Sequence, residues 1–113
     1  MTEISLLLSD GIPLGLTVQG HTGFAPRGRD VVCAAVSALV QSLLYGFESV
    51  LEAEEIKWSQ DDSQAKISLD WRDVPGREKD VLVRTVIGSL REIARIYPDN
   101  VRIVEVPENE MEF

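Results

Sequence analysis

The chain holds one cysteine, Cys33, and one histidine, His21, twelve positions apart. Between them runs Thr22-Gly23-Phe24-Ala25-Pro26-Arg27-Gly28-Arg29-Asp30, and the cysteine falls where a long apolar stretch begins. A thiol at a helix start meets the positive end of the helix dipole, which favours thiolate. An imidazole within reach can take up the thiol proton and later return it, which is the logic of an activated cysteine nucleophile. No other pair of residues in the chain suggests comparable chemistry.

The elements that must position this pair are legible along the chain. Ile4 to Ser9 reads as a strand, and Asp10-Gly11 is a hairpin-turn signal. Leu14, Leu16 and Val18 alternate with Gly15, Thr17 and Gln19, so a second strand runs to about Gly20 and leaves His21 at its end. Residues 22–29 read as a loop, with Gly23, Pro26 and Gly28 disfavouring regular structure and Phe24 its one aromatic. Asp30 is a good N-cap, which makes Val31, Val32 and Cys33 the first turn of a helix predicted to reach about Glu54. Its apolar residues nearly surround it, so it needs cover on more than one side. A sheet supplies one cover and a second copy of the chain another, which motivates a homodimer; helix packing within one chain would also suffice.

Ile56-Lys57-Trp58 and Ala65 to Trp71 read as strands around the polar turn Gln60-Asp61-Asp62-Ser63, with Trp58 and Trp71 as cross-strand or core partners. A second helix follows from about Glu78 to Tyr97, carrying Val83, Val86, Leu90, Ile93 and Tyr97 at helical spacing. Val101 to Val106 is a last strand, and residues 107–113 read as a frayed acidic tail. The expected fold is α+β: a single domain over residues 1–113 in the order ββαββαβ. It is a two-layer sandwich, with one mixed, mostly antiparallel sheet carrying two helices.

Composition bounds the function. At 113 residues the chain can bury about 60–70% of its unfolded surface without disulfides or metal. One cysteine forms no internal disulfide, which suits a reducing cytoplasm, and one cysteine with one histidine is too few soft ligands for structural zinc. The formal net charge of -8 argues against a general nucleic-acid binder and is compatible with a basic protein partner. The start of the chain lacks the positive n-region of a signal peptide. Residues 31–47 are free of charge, but Ser37, Gln41, Ser42 and Gly46 interrupt them, so a buried helix is expected rather than a membrane span. No cofactor is expected.

Asp30 as N-cap puts Cys33 at the third helical position, where backbone amides outside the helical ladder can hold a sulfur anion or the oxyanion of an attacked carbonyl. Asp30, Ala34 and Ser37 flank the thiol as supporting positions, and Gly23, Phe24 and Gly28 belong to a loop able to close over a peptide. Asp30 opposes the dipole, because its charge beside the thiol disfavours thiolate and its carboxylate competes for the same amides. The plainer reading is that Cys33 is a packing residue in an alanine- and valine-rich helix start.

The string Gly20-His21, then Gly28-Arg29-Asp30-Val31-Val32-Cys33-Ala34-Ala35-Val36-Ser37-Ala38, resembles the signature of the ribosomal-processing cysteine proteases, the Prp family. The likeness extends to chain length and order of elements. It implies that His21 and Cys33 form a catalytic dyad. The implied activity removes the N-terminal extension of a precursor of large-subunit ribosomal protein number twenty-seven, supporting ribosome assembly. It further implies a mobile loop between the two residues and a homodimer. Thr22 stands where the family commonly has alanine, and Val31 where it commonly has isoleucine; both bear on substrate fit rather than on mechanism. The competing reading is a non-enzymatic, ribosome-associated module that binds a basic protein through its acidic surface. A redox-sensing thiol is the third, and it would need a partner thiol from outside the chain.

Overall fold

A computed structural model of the chain describes residues 1–20 and 31–107. Strands β1 (Thr2–Ser9) and β2 (Ile12–Gln19) lead into helix α1 (Val31–Tyr45), which ends in a wide turn, Gly46–Val50. Strands β3 (Lys57–Asp61) and β4 (Lys66–Asp70) flank the short turn Asp62–Gln64, and helix α2 (Glu78–Ile96) precedes β5 (Val101–Pro107). The five strands form one sheet in the order β3-β4-β2-β1-β5. Only the β1–β5 pair is parallel; the other three pairs are antiparallel. The expected ββαββαβ order and mixed sheet are therefore what the chain forms.

Local chemistry explains the first hairpin. Asp10 and Gly11 both adopt positive φ, 51° and 77°, the combination that a two-residue primed turn requires, and Ser9 pairs directly with Ile12 across it. The register then aligns one face of the sheet. Leu6, Leu16, Leu69 and Trp58 form one row across four strands, and Ile4, Val18, Ile67 and Gln60 form the next. These rows meet Val36, Val40, Leu43 and Phe47 of α1 and its terminal turn, and Val83, Val86 and Leu90 of α2, in one core. The stretch Val31–Val50 is long and apolar enough to cross a bilayer by length and composition alone, but here its buried side chains belong to that core. Trp71 stacks on Phe47 with ring centroids 5.7 Å apart, and its Nε1 donates to the Pro13 carbonyl at 3.0 Å.

Three expectations change. The first helix stops at Val50 rather than about Glu54, because the Leu51 N–H donates to the Gly46 carbonyl at 2.9 Å and Glu52 takes a left-handed φ of 50°. Trp58 is no core partner of Trp71: it pairs with Leu69 on the edge strand and stays 46% exposed. The final strand includes Pro107, one residue into the segment expected to be a tail, and the rest of that segment lies outside the described residues.

Candidate active site

Cys33 is the third residue of α1, and this end of the helix is fastened to the sheet by the buried side chains of Val32, Val36 and Val40. Helical spacing leaves Cys33 half-buried, on a cleft between the N-terminal half of α1 and strands β2, β4 and β3. The sheet side of the cleft is the second apolar row: Val18, Ile67 and, at the open edge, Gln60. The helix side is Cys33, Val36, Ser37, Val40 and Gln41. The cleft measures about 200 Å³. That is smaller than the roughly 300–1,000 Å³ of small-molecule sites, so it fits one or two side chains of a peptide better than a cofactor.

The far wall begins at Gly20, the residue before His21. Gly20 has a φ of +90°, and a Cβ there would lie 2.7 Å from the Met1 carbonyl oxygen, so only glycine fits. Its N–H donates to the Ala65 carbonyl at 3.1 Å, and its own carbonyl accepts from the Thr2 hydroxyl at 3.4 Å. Thr2 is almost fully buried and lines the same cleft. Gly20 is thus held by β1, by the β3–β4 connection and by its own backbone, on the cleft that Cys33 opens into.

The β3–β4 connection supplies a polar rim of Gln60, Asp62 and Lys66. Asp61 accepts from the Ser63 hydroxyl at 2.6 Å and from the Ser63 N–H at 3.0 Å, and the hydroxyl bond chiefly holds its carboxyl below the usual carboxylate range. The Gln60 side-chain amide donates to Asp62 at 3.0 Å. Ala65 closes the turn in the left-handed region, φ 48°, where its carbonyl meets the Gly20 N–H. A non-glycine residue in that region stores strain of about 1–2 kcal/mol, which the surrounding hydrogen bonds must hold.

Of the positions singled out from sequence, the structure brings Cys33 and Ser37 together on the cleft, while Ala34 is exposed and outside the cleft wall. His21, Gly23, Phe24, Gly28 and Asp30 lie outside the described residues. The rim residues Gln60, Asp62 and Lys66, and the wall residues Thr2 and Gln41, were not anticipated. Gln60 and Asp62 carried a turn signal, but nothing local to them indicates that β4 pairs with β2 and so carries this turn to Cys33.

A family model described as "Cysteine protease Prp" matches residues 1–102. The ribosomal processing cysteine protease Prp of Mycoplasma genitalium is 30% identical over 90 residues, 80% of this chain and 86% of that protein. The Bacillus subtilis protein of the same name is 34% identical over 98 residues, 80% of this chain and 83% of its own. The crystal structure of an essential ribosomal processing protease Prp from S. aureus, with a covalently linked product peptide, superposes with a TM-score of 0.84 at 21% identity. That match covers 94% of this chain and 100% of the other. A Streptococcus mutans crystal structure reaches a TM-score of 0.82 at 21% identity over 95% of both chains. With a family model spanning nearly the whole chain and relatives matched over most of their length, the chain belongs to the Prp family of cysteine proteases.

Proposed function

We propose that this chain is a cytoplasmic endopeptidase that removes the N-terminal extension of a precursor of large-subunit ribosomal protein number twenty-seven. Cys33 is its nucleophile and His21 its acid–base partner. The observation that carries this reading is the placement of Cys33 in the first turn of α1, on a peptide-sized apolar cleft whose opposite wall ends at the residue before His21. The names of its relatives, ribosomal processing cysteine proteases, support the substrate class. A basic ribosomal precursor also suits an enzyme of net charge -8.

In the proposed reaction His21 takes the thiol proton as the Cys33 sulfur attacks the scissile carbonyl carbon, forming an S–C bond. The first turn of a helix presents backbone N–H groups outside the i→i−4 ladder, and these stabilise the oxyanion. His21 returns the proton to the leaving amine as the C–N bond breaks, and water then hydrolyses the thioester. The cleft formed by Val18, Val36, Val40 and Ile67 receives an apolar side chain of the substrate.

The chain also acts as a homodimer in this proposal. The outward face of α1, with Ala34, Ala38, Gln41, Ser42 and Tyr45 exposed and no charge among them, suits a second copy. Light scattering on Ala38→Glu against the unaltered chain tests it: a lower mass for the variant supports the dimer, and a monomeric unaltered chain refutes it.

The cleavage test mixes the purified chain with the ribosomal precursor of its own genome and records product masses. One cut near the precursor's N-terminus, lost in Cys33→Ala by on the order of 10⁴-fold or more, supports the protease reading. Binding without any cut would favour the non-enzymatic module, and full turnover by His21→Ala would remove the dyad.

A further inference from the structure

The two edges of the sheet, β3 and β5, are built differently. β5 carries Arg102 and Glu105, which pair with Glu3 and with Arg91 of α2, and it ends in Pro107. Charges and proline are the usual means of blunting an edge against further pairing. The middle of β3 has neither. Its register with β4 runs from Lys57 to Asp61 without a bulge, and its two charged side chains stand at its ends. Lys57 is held by Asp73 at 3.0 Å, and Asp61 by the Ser63 hydroxyl at 2.6 Å. Between them Trp58-Ser59-Gln60 is neutral and exposed. Among the described residues nothing pairs with the outer side of β3, so alternate residues turn an N–H and a C=O outward.

This edge is continuous with the Cys33 cleft. Gln60 forms the open edge of the cleft opposite Ile67 of β4, and Asp62, just past the strand, belongs to the same rim. Trp58 lies on the same face of β3 as Gln60, one pleat repeat or about 7 Å away. It stays half-exposed although its row-mates Leu69, Leu16 and Leu6 are covered. An added strand would put a side chain about 5 Å from each of these two residues. A peptide in extended backbone that enters the cleft across Gln60 therefore passes Trp58 with the side chain two positions away.

We propose that the outer edge of β3 receives the substrate as a sixth strand, and that Trp58 selects an apolar side chain two positions from the one beside Gln60. This sixth strand presupposes the protease reading given above and fixes where the rest of the substrate lies. Backbone bonds to β3 hold the peptide extended while one of its side chains fills the cleft. Affinity then comes from the main chain and specificity from alternate side chains. The occupant is a peptide rather than a second copy, because the unblunted edge is the one that opens into the cleft.

Tryptophan fluorescence reads this edge directly, because Trp58 and Trp71 are the only tryptophans and Trp71 is buried. The probe is a synthetic, tryptophan-free peptide of the N-terminal segment of the ribosomal precursor from the chain's own genome, added to Cys33→Ala. The expected result is a blue shift and a several-fold loss of acrylamide quenching, both absent once Trp58→Phe is combined with Cys33→Ala. In the active chain, Trp58→Ala should raise KM about tenfold with kcat kept, and Trp58→Phe should recover most of that loss. N-methylation of the peptide, one amide at a time and away from the scissile bond, should lower kcat/KM about fivefold at alternate residues only. A Trp58 that stays fully quenchable overturns the proposal, and cleavage by the active chain then shows that the protease reading survives. An N-methyl scan without a period of two overturns the strand pairing. Protection of Trp58 that exists without peptide and falls on dilution also overturns the proposal, in favour of a second copy on the edge. A blue shift in a chain that cleaves nothing supports the edge site and removes the protease reading instead.

Discussion

α1 and α2 cover the same face of the sheet but are built by different rules. α2 carries Glu78 and Asp80 in its first turn and Arg95 in its last, so its own side chains complement both ends of its dipole. Its buried residues, Val83, Val86, Ile87 and Leu90, fall on one stripe, and its other face is charged. α1 has no acid in its first turn and no base in its last, and residues 31–47 carry no charge at all. The difference shows what each helix is for. α2 supplies core and solubility, whereas α1 leaves its positive end to the residue at Cys33 and its sides to a cleft and the core.

That contrast can be broken or sharpened by substitution. Leu90 of α2 is fully buried, and Leu90→Ala should cost about 3 kcal/mol of unfolding free energy without changing KM for the precursor. Val40 of α1 is equally buried but also lines the cleft, so Val40→Ala should cost about 2 kcal/mol and shift KM as well. Denaturant titration with steady-state kinetics on both variants checks the pair, and an unchanged KM for Val40→Ala would erase the distinction. A smaller effect is expected where the two helices touch. A Cβ on Gly46 would lie 2.6 Å from Leu82 Cδ2, so Gly46→Ala should destabilise by roughly 1–2 kcal/mol, with Leu82→Ala in the same chain relieving the clash. A double-mutant cycle measures that coupling. The smallest effect belongs to the charged face of α2: the exposed Arg95–Glu92 pair, 2.8 Å apart, should contribute less than about 0.5 kcal/mol, so Glu92→Gln leaves the melting curve nearly in place.

What the sequence disclosed follows the same division. α2 was legible almost to the residue, because a charged face, an apolar stripe and the Pro98 stop all act locally. The Asp10-Gly11 turn was legible because its backbone requirement is written into two residues. For α1 the start was clear and the end was not. Its terminal turn brings Gly46 so near Leu82 of the other helix that a Cβ there would lie 2.6 Å from Leu82 Cδ2, a proximity that no local pattern reports. The site divides in the same way. Cys33 and Ser37 announced themselves by helical spacing, but Gln60, Asp62 and Lys66 reach the cleft only through the pairing of β4 with β2. Trp58 misled for a related reason, since nothing local says that β3 lies at the sheet edge, where all five of its residues are exposed.

The parallel pairing of β1 with β5 has a consequence for synthesis. Thr2 donates its N–H to the Asn100 carbonyl at 2.9 Å and its hydroxyl to Gly20, so the start of the last strand is tied to the wall of the cleft through the second residue of the chain. Glu3 and Arg102, ion-paired across the same seam, are 99 positions apart. While the chain is still on a ribosome, β1 has β2 on one edge and nothing on the other until β5 leaves the exit tunnel. Such long-range closure is slow and comes last. A nascent copy therefore carries Cys33 before the seam that fixes Thr2 in the cleft wall has closed, and the cleft is finished only when β5 joins β1.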